Sequence, residues 1–198
     1  MSPISIALFL HVIGAMGYSV ATFISPFGLL ALRRAQRVEQ VRPVLNLLEI
    51  TGPISGISLL IILVTGIYMT STTWGWRTAW IDVTLGSLLL LLLPVGAVMG
   101  VRRHALAAQA DKLPDGPLPE TFRCGIRDPL LGASTVMLVG LLLGVVFLMT
   151  VKPALVGSLI VMGISVGVSL VVILALSRRQ YARTARSAGG PAQSLSGC

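Results

Sequence analysis

Five long stretches with almost no charge decide what this chain can fold into: residues 3–32, 43–70, 82–101, 129–151 and 153–176. About 20 apolar residues in a helix cross a hydrocarbon core of ~30 Å. A helix also satisfies its own backbone hydrogen bonds where water cannot reach. The stretches predict an all-α fold, a polytopic membrane helical bundle of five transmembrane helices within residues 1–177. Residues 102–128 read as a loop that starts as a helical continuation, Arg102 to Leu113, and breaks at the turn-rich run Pro114 to Pro119. Residues 178–198 read as a basic, disordered tail.

Composition removes the alternatives. Hydrophobic residues make up 55% of the 198-residue chain and charged residues 11%. Soluble domains carry about 25% charged residues, and disorder requires low hydrophobicity. The net charge of +8 suggests nucleic acid only until the basic residues are located. Arg33, Arg34, Arg37 and Arg42 follow the first span. Arg102, Arg103, Lys112, Arg123 and Arg127 follow the third, and Arg178, Arg179, Arg183 and Arg186 follow the fifth. These are 13 of the 15 basic residues, and they fall on one side; only Arg77 and Lys152 fall on the other. Excess Lys and Arg mark the cytoplasmic side, which puts the N-terminus outside and the C-terminus in the cytoplasm. The expected location is the bacterial cytoplasmic (inner) membrane, multi-pass, with the lipid bilayer as partner and no nucleic acid. The same charges would attract anionic lipid or dock an acidic partner.

Local signals agree with this division. Pro3, Pro43, Pro129 and Pro153 are placed to open spans, since a first-turn proline loses no hydrogen bond. Ser2 and Asp128 are placed as caps, and Asp82 suits the positive end of the third helix. Trp74, Trp76 and Trp80 cluster in the outer loop, either as headgroup anchors or as a ligand platform. Cys124 and Cys198 have no CxxC partner, which predicts free thiols with no disulfide and no zinc site.

Motifs for catalysis are missing: no GxSxG, HExxH, phosphate loop or dinucleotide fingerprint occurs. That argues against an enzyme. His11 and His104 fall near opposite ends of their spans, too far apart for one metal. His11 heads a small, polar stripe with Gly14, Ala15, Tyr18, Thr22 and Ser25, opposite a bulky face of Phe9, Ile13, Val20, Phe23, Ile24 and Phe27. Intramembrane histidines are costly and face the bundle. His11 therefore either hydrogen-bonds a neighbouring helix or ligates haem iron or copper. The candidate cofactor-binding set is His11, Tyr18, Met69 and Met149, with His11 of a second subunit as another second ligand and haem b as the implied cofactor.

Glu49 offers a different chemistry. Asn46 precedes it by one turn, and Pro53, four residues on, removes the N–H that its carbonyl would accept. Together with Pro94, which marks a kink in the third span, these residues form a candidate polar core for ion-coupled transport of a small solute. The simpler reading pairs Glu49 with Arg102 or Arg103 near the membrane face. GxxxG pairs at Gly52–Gly56, Gly96–Gly100, Gly140–Gly144 and Gly163–Gly167 each lie in a different span, which suits close helix packing within one chain or in a homo- or hetero-oligomer.

Leu10-His11-Val12-Ile13-Gly14-Ala15 resembles the LHxxGA opening of an uncharacterised, DUF-type bacterial integral-membrane family. Leu63-Val64-Thr65-Gly66-Ile67-Tyr68-Met69 with the Trp-rich loop is similar to that family's second-span ending. Phe147 to Pro153 resembles its closing KP signature. More distantly, a first-helix His followed by Gly resembles the CopD-like copper-resistance proteins and the HemJ-type protoporphyrinogen oxidases. That resemblance implies haem or copper at His11, although the further intramembrane histidines of both groups are absent. Three functions follow as expectations: a non-enzymatic subunit or scaffold of a larger membrane assembly, a haem- or metal-binding redox protein using His11, and a transporter using Glu49.

Overall fold

The computed structural model describes residues 2–188, with side chains as far as residue 178. It is all-helical in the described residues: α1 (Pro3–Arg34), α2 (Val38–Met69), α3 (Ala79–Ser87), α4 (Leu93–Ala110), α5 (Glu120–Ile126), α6 (Pro129–Val151) and α7 (Leu155–Ala188). A π-helical turn, Thr70–Trp74, extends α2, and a second, Leu88–Leu92, joins α3 to α4 into one rod. Five helices are long and apolar enough to cross a membrane.

The ends follow from capping chemistry. The Ser2 side chain accepts from the Ser5 N–H with Pro3 in the first turn, and the Asp128 carboxylate accepts from the Leu130 N–H before Pro129. Two other prolines do not open helices. The helix containing Pro43 begins at Val38, and α7 begins at Leu155, after Pro153. Asp82 lies in the first turn of α3, which starts at Ala79. Arg37 is extended, and the Val38 N–H bonds to the Gly116 carbonyl, so the α1–α2 link and not Pro43 sets that start. Pro94 lacks the N–H that the Leu90 carbonyl would accept. The register shifts just before it, where the Leu93 N–H bonds to the Leu88 carbonyl. The last helix continues through residues 178–188, which corrects the expected disordered tail over that range. Arg, Gln and Ala there are good helix formers. Residues 189–198 lie outside the described residues.

Two close helix pairs organise the bundle. Antiparallel α1 and α2 approach through Gly14 and Gly17, where an added Cβ would stand 3.0 Å from the Ser58 carbonyl oxygen and 2.5 Å from its hydroxyl. In the second pair, Gly140 and Gly144 of α6 receive Ser169 and Ser165 of α7. The rod of α3 and α4 packs between them, against α2 and α6.

Part of the core lies at the basic end. Val38, Val41, Ala110, Phe122 and Ile126 are all buried there. The Pro114–Pro119 stretch folds back onto the α1–α2 link, with the Leu118 N–H donating to the Gln36 carbonyl. Cys124 in α5 is disulfide-bonded and not free. Missing CxxC spacing excludes only a local pair, because a bridge depends on distance in space and not in sequence. Cys198 lies outside the described residues.

Candidate functional site

The buried face of α1 is Ala7, Gly14, Tyr18, Thr22, Ser25 and their helical neighbours, with His11 half-buried on the same seam. Phe9, Ile13, Val20, Phe23 and Phe27 point outward, and Ile24 is half-buried. Opposite His11 stands Gly66, whose added Cβ would lie 3.3 Å from the imidazole Cε1. The glycine makes room for the ring.

The protonation of that ring follows from its neighbours. His11 Nδ1 lies 3.0 Å from Thr65 Oγ1, and the Thr65 hydroxyl lies 2.6 Å from the Ile61 carbonyl oxygen. A hydroxyl has one proton, and the carbonyl can only accept. Thr65 therefore donates to Ile61, and His11 Nδ1–H donates to Thr65. In the neutral ring this leaves the lone pair on Nε2, the arrangement in which a histidine accepts a hydrogen bond or ligates a metal.

The other residues of the candidate cofactor set are spread out. Tyr18 is buried two turns further along α1. Met69 is buried one turn beyond Thr65 on α2, and Met149 is half-buried on α6. No hydrogen bond among the described residues joins either methionine to His11.

The tryptophans are partly joined. The Trp74 and Trp80 rings meet edge to face at 5.7 Å, and the Lys152 ammonium stands 5.4 Å and 5.5 Å from their centres. Trp80 is buried, whereas Trp76 is exposed. Lys152 reaches this box from the end of α6 with φ of 53°, the left-handed conformation that ends the helix.

At the opposite end, Glu49 pairs with His104, Oε1 to Nδ1 at 3.1 Å. The expected partners were Arg102 or Arg103. Arg102 instead pairs with Asp128, and Arg103 donates to Thr51 Oγ1 at 3.3 Å. The reason is angular: Glu49 lies on the outward face of α2, as do Asn46 and Pro53. Pro94 is exposed on α4. These four residues are not gathered in the interior.

Arg103 is the inward-facing charge that sequence reading missed. It reaches a small void lined by Ser25, Leu45, Leu48 and Thr135 from three other helices. The signal was its register with Met99, Leu106 and Ala110, all buried on the same helix.

The two histidines stay apart. Their partners Glu49 and Thr65 lie 16 residues apart on one helix, a rise of about 24 Å. Among the described residues no three His, Cys, Asp or Glu side chains come together as a metal site. Comparison with protein families, with curated proteins and with solved structures finds no match.

Proposed function

We propose that this chain is a multi-pass protein of the bacterial cytoplasmic membrane, N-terminus outside and C-terminus in the cytoplasm. Its role is that of a non-enzymatic helical subunit or scaffold in a larger membrane assembly. The observation that carries this reading is an asymmetry among the glycine pairs. Gly140–Gly144 is filled by serines of α7, whereas added Cβ atoms on Gly52, Gly56, Gly96, Gly100, Gly163 and Gly167 would meet nothing within 4 Å. Apolar surface is also left over: only 17% of the apolar window of the second span and 11% of the fifth is buried. In a bilayer, lipid covers apolar surface as well as protein does, and small residues are what let a further helix approach.

The test is the native mass of the complex extracted gently from its own membrane. Gly52→Leu with Gly56→Leu, and Gly163→Leu with Gly167→Leu, are expected to dissociate the assembly while leaving the monomer folded. An unchanged mass in both pairs, or a monomeric wild type with no copurifying protein, rejects the reading.

A second reading rests on the bare Nε2 of His11, with Nδ1 fixed by Thr65. A hydrogen bond that fixes the ring through its other nitrogen is what metal-ligating histidines use. A Soret band that shifts on dithionite reduction and disappears in His11→Ala would establish haem ligation. A featureless spectrum without stoichiometric iron or copper removes this reading.

A further inference from the structure

At the basic end of the bundle, where α1 runs into the α1–α2 link, lies a cavity of about 170 Å³. Four arginines line it, Arg33, Arg34, Arg123 and Arg127, over an apolar floor that includes Leu32 and Ile126. No acidic side chain lines it among the described residues. The Glu120 carboxylate is 4.0 Å from Arg123, and Asp128 is turned to Arg102.

Helix-end charge explains part of this cluster, since Arg33 and Arg34 close α1 where cations suit the dipole. It does not explain the convergence. The Nε atoms of Arg33 and Arg123 are buried without an acceptor. Buried donors left in this way are costly. Arg33 is also in the field of Arg127, a like charge. Its guanidinium lies against the first turn of α6, where a Cβ added to Gly132 would come within 3.0 Å of it. That turn is the positive end of a helix and holds no acidic residue, its capping Asp128 being paired with Arg102.

We propose that this cavity binds a phosphate group, carried by an anionic phospholipid headgroup or supplied as free phosphate. Guanidinium forks match the oxygens of a phosphate with paired, charge-assisted hydrogen bonds. The volume is well below the ~300–1,000 Å³ of pockets for drug-sized ligands. It fits a phosphate and the start of its ester and excludes a nucleotide. Basic pockets between spanning helices on the cytoplasmic side are a recognised place for lipid headgroups.

The experiment is native mass spectrometry of the full chain titrated with phosphatidylglycerol or phosphatidylcholine. A parallel melting series compares sodium phosphate with sodium chloride at equal ionic strength. One phosphatidylglycerol is expected to be retained about tenfold more tightly than phosphatidylcholine, the scale of one charged hydrogen-bond pair. Arg33→Gln should lose that preference. So should Arg34→Gln with Arg127→Gln, whose side chains are exposed and whose loss leaves the fold intact. Arg178→Gln, an exposed arginine on α7, should keep it. Stabilisation by phosphate over chloride, lost in the same variants and without lipid preference, assigns the site to soluble phosphate. If neither ligand is preferred, or Arg178→Gln loses as much as the cavity variants, the proposal is overturned.

Discussion

His11 and Thr65 face each other across the α1–α2 seam at 3.0 Å, with the imidazole as donor because the threonine proton is already held by the Ile61 carbonyl. The relationship predicts a single tautomer, with hydrogen on Nδ1 and none on Nε2. Nitrogen-15 shifts of the imidazole should report it directly. Thr65→Val keeps the shape of the seam and removes the acceptor, which should cost about 1 kcal/mol and mix the tautomers. Thr65→Ser should restore both. A wild-type spectrum with the proton on Nε2 would refute the assignment and with it the availability of Nε2 to a metal.

The α6–α7 contact gives a prediction of opposite sign for two glycines. Gly140→Ala would drive a methyl into the Ser169 hydroxyl and to 3.2 Å from the Ser165 carbonyl oxygen. Overpacking of this kind costs about 1–3 kcal/mol. Gly163→Ala meets open space and should stabilise the isolated subunit by up to about 1 kcal/mol through helix propensity. Unfolding midpoints in a mixed-detergent titration should separate the two. Gly140→Ala with Ser169→Ala should recover most of the loss. Equal midpoints for the two single variants would show that the α6–α7 contact is not close.

This difference also marks how far the sequence could be read. A period of 3.6 residues suffices to bring Gly14, Tyr18, Thr22 and Ser25 onto one buried face. Cap chemistry suffices for Ser2 and Asp128. Spacing alone cannot say which GxxxG pair is filled, because it names a face and not its partner. Charge counting treats Arg102 and Arg103 alike, yet one is turned to Asp128 and the other into the bundle. The arginine cavity is invisible for the same reason: Arg33 and Arg127 are 94 residues apart and meet only when α5 and α6 fold back beside the end of α1. His104 as the partner of Glu49 depends likewise on the rotation of two helices about their axes.

Arg42 predicts how the fold-back loop is held. Its guanidinium reaches the Asp115 carboxylate and the Leu113 carbonyl, and its Nε lies 3.4 Å from the Ala110 carbonyl oxygen. The Asp115 side chain is 65% exposed, so the ion pair itself contributes little. The carbonyl contacts matter more, because they close the segment that supplies backbone partners to Gln36 and Val38. Arg42→Ala should raise amide exchange at Val38 and Leu118 by about tenfold, the scale of one hydrogen bond to a charged group. Asp115→Asn should have a much smaller effect. Equal exchange in both variants would move the cause from the carbonyls to the ion pair.

Lys152 combines two opposed contributions, and substitution can separate them. Its ammonium stands over Trp74 and Trp80, a contact worth about 0.5–1 kcal/mol at exposed sites. Its backbone is left-handed, with φ of 53°, which costs a non-glycine residue on the order of 1 kcal/mol. Lys152→Ala loses the contact and keeps the strain. Lys152→Gly loses the contact and relieves the strain. The glycine variant should therefore melt above the alanine variant and close to wild type, against the usual rule that glycine destabilises. Lys152→Arg should retain the cation and melt near wild type, while tryptophan emission should change in both uncharged variants as the cation leaves the Trp74–Trp80 pair. If alanine proves as stable as glycine at this position, the left-handed end of α6 is not what holds Lys152 over the rings.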